Sequence, residues 1–197
     1  MTHRIEPVHP IEAASYRILA ERIDLSHFAA GPRAVIERVI HASADLDYAH
    51  TMLVSEQAVD VGVAAIRAGE PVVTDGETTR AGITGVSVLC YLNEVSAAGD
   101  VTRSARAMRL AAERHPVGAI VVIGSAPTAL EEALSLAADG RFAPALVIGL
   151  PVGFVGAAAA KEAARASGRC VITNTGEKGG SAAAAAACNA IVRLAHG

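Results

Sequence analysis

The feature that most limits what this chain can fold into is a change of rhythm at Pro71. Beyond it, short β-branched runs alternate with helical stretches: Val72-Val73-Thr74, Val86 to Leu92, Val117 to Ile123, Ala145 to Ile148 and Cys170 to Thr173. The helices between them fall over Thr102 to Arg114, Pro127 to Ala138, Gly156 to Ser167 and Ser181 to Ala195. Continuous apolar strands separated by helices belong to a parallel sheet covered on both faces. Upstream, the first seventy or so residues read as helices. Ile11, Tyr16, Ile18, Leu19 and Ile23 recur at helical spacing, and Pro32 opens a second helix with Val35, Ile36, Val39 and Ile40 along one side. A third runs from an N-cap at Ser55 to a stop at Gly69. The predicted fold is therefore α/β: an open, doubly wound, mostly parallel sheet of about five strands with additional N-terminal helices. One domain spans 1–197, helical over 1–70 and alternating over 71–197. The Ala-rich runs Ala157 to Ala160 and Ala182 to Ala187 suit helices that approach a sheet or another helix closely.

Composition excludes several classes of function. Hydrophobic residues are 52% of the 197, charged residues 19%, aromatics 3%, and the net charge is −3. That aliphatic content rules out disorder, and the lack of a basic excess argues against nucleic-acid binding. The longest apolar stretches are too short, or too broken by Gly and Pro, to span a bilayer. Met1 to Pro10 carries His, Arg and Glu with no apolar core, unlike a secretion signal. Cys90, Cys170 and Cys188 have neither metal nor redox spacing and read as reduced core thiols. The expectation is a soluble, cytoplasmic protein without membrane contact.

Ligands of open α/β sheets bind beyond the carboxyl ends of the strands. Three Gly-rich loops sit at such ends: Gly124 to Thr128, Gly149 to Gly156, and Asn174 to Ser181. Each leads into a helix, whose first amides and positive dipole end suit a carboxylate or phosphate; a tight turn is the plainer reading of any one of them. The loop at Gly149 lacks the dinucleotide spacing G-x-G-x-x-G. Gly-Glu-Lys-Gly-Gly-Ser around Lys178 is not the nucleotide loop G-x-x-x-x-G-K-[ST].

Individual residues leave alternatives open. His41, after Val39-Ile40 and before Ala42-Ser43-Ala44, is either poised for proton transfer or a core histidine satisfied by a backbone carbonyl. Asp75 either orients a base or a ligand, or caps the next helix. Arg103 either reinforces an anion site or is a solvated charge, and Ser15, Tyr16 and Arg17 either line a cleft or face water. His3, His9, His27 and His196 look peripheral, and His50 and His115 fall near segment ends. No histidine pair has ligand spacing, no G-x-S-x-G elbow occurs, and no Cys–His pairing is evident, so neither a metal site nor a hydrolase or phosphate-transfer nucleophile is supported.

Several blocks nevertheless carry a resemblance over almost the whole length. They are Pro10-Ile11-Glu12, Ser15-Tyr16, Arg38-Val39-Ile40-His41-Ala42, Val73-Thr74-Asp75-Gly76-Glu77, Gly124 to Leu130, Gly149 to Ala158, and Lys178-Gly179-Gly180-Ser181. Together they resemble the precorrin-8X methylmutases, including their cobalt-precorrin-8 counterparts. The resemblance implies an isomerase of cobalamin biosynthesis that moves a methyl group from C-11 to C-12 of a tetrapyrrole. The product would be hydrogenobyrinic acid, or cobyrinate from the cobalt form. The reaction that the resemblance implies is an acid-assisted sigmatropic rearrangement without a separate cofactor. It maps the family's active-site histidine onto His41 and its arginine onto Arg103, and implies a homodimer with sites near the interface. Hand-over of product to neighbouring pathway enzymes would fit. Departures occur at Ser125, where the family often has Asn, and around Thr78 to Ala81.

Taken with the loop reading, the implied substrate contacts are Ser15, Tyr16, Arg17, Asp75, Arg103, Ser125, Thr128, Gly153, Phe154, Lys178, Gly179, Gly180 and Ser181, with no metal site. A rearrangement within one molecule needs orientation and one tuned acid more than a nucleophile. The competing function is a non-catalytic corrinoid carrier.

Overall fold

Short-range signals in the chain set most element boundaries. In the computed structural model, which describes residues 9–96 and 99–197, the chain opens with α1 (Pro10–Arg22), α2 (Ala30–Ser43) and the single turn α3 (Tyr48–Thr51). Then come β1 (Met52–Val54), α4 (Glu56–Ala68), β2 (Val72–Thr74), α5 (Glu77–Gly82) and β3 (Val88–Cys90). After a 3-10 turn at Leu92–Glu94 follow α6 (Arg103–Arg114), β4 (Ile120–Ile123), α7 (Pro127–Ala138), β5 (Leu146–Gly149), α8 (Ala157–Ala166), β6 (Val171–Asn174) and α9 (Ser181–His196). Ser55 caps α4 by accepting from the Ala58 amide, and Gly69 ends it at φ 76°. Thr102 caps α6 in the same way, and Pro127 opens α7. His3 and most of the segment Met1 to Pro10 lie outside the described residues.

The strands form one sheet of six in the order β1-β6-β5-β4-β2-β3. All pairings are parallel except β1 with β6, where Met52 faces Asn174 and Val54 faces Ile172. The expected count of about five strands is thus one short, and the first seventy residues are not all helical. The missing strand, β1, is three residues long, and only its tertiary pairing at the sheet edge makes it a strand. α5 lies where no helix range was read, although a capping Asp75 implied a helix there: it holds the β-branched Thr78 and Thr79, which are poor helix formers. The strands are shorter than their apolar runs. Val117 is exposed and makes only an isolated bridge to Ala143.

Residues alternate between two apolar cores. Val72, Ile120, Val122, Leu146, Ile148 and Ile172 pack with α1, α2, α4 and α9, whereas Val73, Val121, Ile123 and Val147 pack with α6, α7 and α8. The sheet is therefore covered on both faces, as expected. α9 is the central helix of its layer, with Ala183 to Ala187 all buried. Its small side chains permit close approach; a Cβ on Gly82 would stand 2.8 Å from that of Ala185. Because β3 lies on one side of β2 and β4 on the other, the strand order reverses between β2 and β4, opening a crevice at their carboxyl ends.

Candidate active site

The crevice at the reversal point is built around Asp75, which follows β2 and is only 1% exposed. A buried carboxylate must find donors. Asp75 finds them across the sheet: Oδ1 accepts from the Gly124 amide at 3.1 Å and the Thr79 hydroxyl at 3.1 Å, and Oδ2 from the amides of Ser125 at 2.7 Å and Ala126 at 2.8 Å. It does not cap the helix that follows it; Gly76 holds that position. The amides of the Gly124 loop, expected to be open to a ligand, are already occupied by the protein's own anion. Gly124 is required for a different reason. A Cβ there would lie 2.6 Å from the Ser181 Cα, so the β4 loop and the start of α9 meet backbone to backbone. Ser125 and Ser181 then share a hydrogen bond of 2.7 Å, with Thr79 3.1 Å from the Ser181 hydroxyl.

The β5 and β6 loops form the next wall. The Gly180 amide donates to the Leu150 carbonyl at 2.8 Å, and the Gly153 amide to the Glu177 carbonyl at 3.1 Å. A Cβ on Gly179 would collide with the Leu150 carbonyl oxygen and come within 2.6 Å of that of Pro151. No side chain caps α8 or α9, so the amides of their first turns lack both intrahelical and side-chain partners. Lys178 points elsewhere: its ammonium lies 2.8 Å from both Asp45 and Asp47, beyond the end of α2. Hydrogen bonds to those two carboxylates hold its pKa far above the usual lysine range. Its charge is therefore already matched.

His41 lies at the last turn of α2, where α1 crosses. Its Nδ1 is 2.8 Å from the Ser15 hydroxyl, and its ring stacks on Tyr16 with centroids 5.0 Å apart and planes 17° from parallel. The partner is thus a side-chain hydroxyl rather than a backbone carbonyl. Glu12 ties α1 down by pairing with Arg38 at 2.6 Å and Arg193 at 3.2 Å. A cavity of about 380 Å³ lies against the imidazole, lined by Ile11, Ser15, Ile18, Arg22, Ile40 and Leu46 among others. On the far side of Tyr16 a hollow of about 420 Å³ runs between Glu37, Arg38 and Arg193, and burial raises the Glu37 carboxyl above its ordinary range. The apolar stripe read on α1 is mostly this cavity wall: Ile11 is 74% exposed, and only Leu19 is buried.

The structure thus gathers the predicted residues into two groups, Asp75, Ser125 and Ser181 at the crevice and Ser15, Tyr16 and His41 beside the cavity. Lys178 touches the second group's surroundings, since Leu46, between its partners Asp45 and Asp47, lines the His41 cavity. Thr128 stands apart, hydrogen-bonded to Thr102 at 2.7 Å. Arg17, Arg103 and Phe154 are exposed, and neither arginine has an ion pair among the described residues. Five residues escaped the sequence reading: Arg22, Thr79, Lys161, Asp45 and Asp47. Helical phase could have found Arg22, seven positions after Ser15; the others depend on tertiary contacts. The cysteines are free, and burial pushes the Cys188 thiol up to about 12 and raises that of Cys90. Among the described residues, no helix is long and apolar enough to cross a membrane, and no group of three or more His, Cys, Asp or Glu side chains could hold a metal ion.

Comparison with known proteins adds identity to this geometry. Residues 10–194 match the family model described as precorrin-8X methylmutase. The cobalt-precorrin-8 methylmutase of Methanothermobacter thermautotrophicus is 39% identical, over 94% of this chain and 93% of that protein. The precorrin-8X methylmutase of a Sinorhizobium species is 36% identical, with 91% of each covered. Among solved structures, the precorrin-8x methyl mutase of Thermus thermophilus superposes with a TM-score of 0.85 at 34% identity, covering 94% of this chain and 95% of that one.

Proposed function

The chain belongs to the precorrin-8X methylmutase family, and from that premise we propose how its residues divide the work. It is an isomerase of cobalamin biosynthesis, and the relatives named above are methylmutases, which leaves the carrier reading without support. The proposed reaction moves a methyl group from C-11 to C-12 of precorrin-8X, or of cobalt-precorrin-8, within the single unit 1–197. His41 is the acid. When the ring is charged, Nδ1–H donates to the Ser15 hydroxyl and Nε2–H is left for the substrate. Proton transfer from Nε2 to the macrocycle lets the methyl leave one ring carbon as it bonds to the next, and Nε2 then takes a proton back. Ser15 and the Tyr16 ring fix the imidazole plane, so the proton is delivered along one direction.

The substrate's acid side chains are assigned to the open first-turn amides of α9, to the Ser125 and Ser181 hydroxyls, to the Gly179 amide, and to Arg17, Arg22 and Arg103, while Gly153 and Gly180, whose amides go to Glu177 and Leu150, shape the loop around them. Thr128 and Phe154 are assigned to its rim, while Asp75 and Lys178 act on the protein side, shaping loops. The cavity beside His41 is smaller than a corrin ring with its acid arms, so more surface must enclose it. Val152, Phe154 and Val155 are 48%, 92% and 89% exposed, an apolar tip suited to a second copy. That tip favours a homodimer, and a cytoplasmic setting in which the product passes to neighbouring pathway enzymes completes the proposal.

The observation that carries the proposal is an imidazole held by a hydroxyl and an aromatic face at the rim of a cavity. The test is His41→Ala, incubated with precorrin-8X and followed by the visible spectrum, which changes as the methyl shift alters conjugation. Turnover should fall by about 10²–10⁴-fold, the usual worth of general acid catalysis, with product binding retained. Turnover near the parent rate removes His41 from the acid role.

A further inference from the structure

Lys161 takes no part in the scheme above, yet it is among the most unusual residues in the fold. It lies on α8 in the Ala-rich run, only 1% exposed, and makes no ion pair among the described residues. An ammonium buried without a carboxylate is costly, and burial alone lowers its pKa to about 8. A methionine would fill similar space without that cost. What the ammonium does instead is hold two carbonyl oxygens: Nζ donates to Asn174 Oδ1 at 3.0 Å and to the Lys178 backbone oxygen at 2.6 Å. The Asn174 amide donates to the same Lys178 oxygen at 2.8 Å, so that carbonyl is drawn inward by two groups.

The consequence follows from peptide geometry. No cis peptide bond occurs among the described residues, and in a planar trans peptide the N–H points opposite to the carbonyl before it. With the Lys178 carbonyl turned inward, the Gly179 N–H faces away from α8 and β6, and it makes no hydrogen bond among the described residues. The next amide, of Gly180, is spent on Leu150. Beyond it the open first-turn amides of α9 begin.

We propose that Lys161 is a positioning residue of the methylmutase, fixing the peptide between Lys178 and Gly179 so that the Gly179 amide joins the start of α9 in holding a substrate carboxylate. This rests on the reading above that the Lys178 to Ser181 loop takes an acid side chain. The Lys178 ammonium is already matched by Asp45 and Asp47, so its backbone, not its charge, serves the ligand.

The test compares Lys161→Met and Ser181→Ala, which removes a hydroxyl assigned to the same acid side chain, in the full chain, by affinity for hydrogenobyrinic acid and by kcat and KM with precorrin-8X. Lys161→Met should fold, bind product about tenfold or more weakly and raise KM, with kcat within about threefold of the parent because His41 is untouched. A merely structural lysine would lower thermal stability without this split. Should Lys161→Met not fold, Asn174→Ala removes the other hold on the same carbonyl and carries the same expectation. If Ser181→Ala weakens binding and the Lys161 and Asn174 variants do not, Lys161 has no positioning role. If Ser181→Ala also binds as tightly as the parent, the loop is not a carboxylate site and the underlying reading falls with it.

Discussion

Asp75 fills an anion site with the protein's own carboxylate, and replacing it with Asn measures what that is worth. Asn keeps the shape but turns one acceptor into a donor. The cheaper placement puts the new NH₂ at the Oδ1 position, because the Thr79 hydroxyl can rotate to accept from it, while the Gly124 amide at 3.1 Å loses its partner. An orphaned buried amide costs about 1–3 kcal/mol. The bonds from Ser125 and Ala126 survive but lose their charged acceptor, about 1 kcal/mol each. The sum is about 3–5 kcal/mol out of a typical total of 5–15. For a chain of this size that corresponds to a fall in Tm on the order of 10 °C, read by urea and thermal unfolding with circular dichroism. Asp75→Ala supplies the converse: the three freed amides should take up formate, raising the variant's Tm in formate relative to chloride, while the parent does not respond. An Asp75→Asn protein within 1 kcal/mol of the parent, or a parent stabilised by formate as much as Asp75→Ala, would show that the loop amides do not depend on this carboxylate.

The remaining predictions concern Lys161 and Ser15. The unfolded chain keeps the Lys161 proton to about 10.5 and the folded chain releases it near 8, so the unfolded state binds more protons between those values and stability from this group rises with pH across that window. The gain is about 3 kcal/mol between pH 7 and 10.5, seen as a larger urea-unfolding free energy at the upper pH that Lys161→Met lacks. A parent and variant with parallel pH profiles would contradict a charged, buried Lys161. Ser15→Ala leaves His41 in place but frees its Nδ1, and kcat should fall about tenfold with KM little changed; an unaltered kcat would remove Ser15 from the orientation of the acid.

Local chemistry made much of this fold readable. Ser55, Gly69, Thr102 and Pro127 mark helix ends through their own caps and backbone angles, so α4, α6 and α7 fall where expected. β1 was unreadable because three residues cannot show a period, and Met52 to Val54 become a strand only through β6. Lys161 was hidden for a related reason. A lysine in an alanine-rich helix has no local sign of burial, and its partners Asn174 and Lys178 lie at the end of β6 and in the loop beyond it. The site shows the same division. His41 and the Gly-rich loops stand out in sequence, but which loop amides are open does not, because Asp75 lies 49 residues from the amide of Gly124 that it occupies.

Charge bookkeeping, finally, bears on how an acidic chain could hold a polycarboxylate. With a net charge of −3, the protein cannot attract such a ligand by its overall field. Most of its candidate cations are also engaged: Lys178 with Asp45 and Asp47, Arg38 and Arg193 with Glu12, Arg109 with Glu132, Arg114 with Glu94. Arg17, Arg22 and Arg103 have no ion pair among the described residues, and the first-turn amides of α9 have no side-chain cap. Such amides are fixed by the helix before the ligand arrives, so binding to them costs little ordering entropy, whereas a flexible lysine must be immobilised.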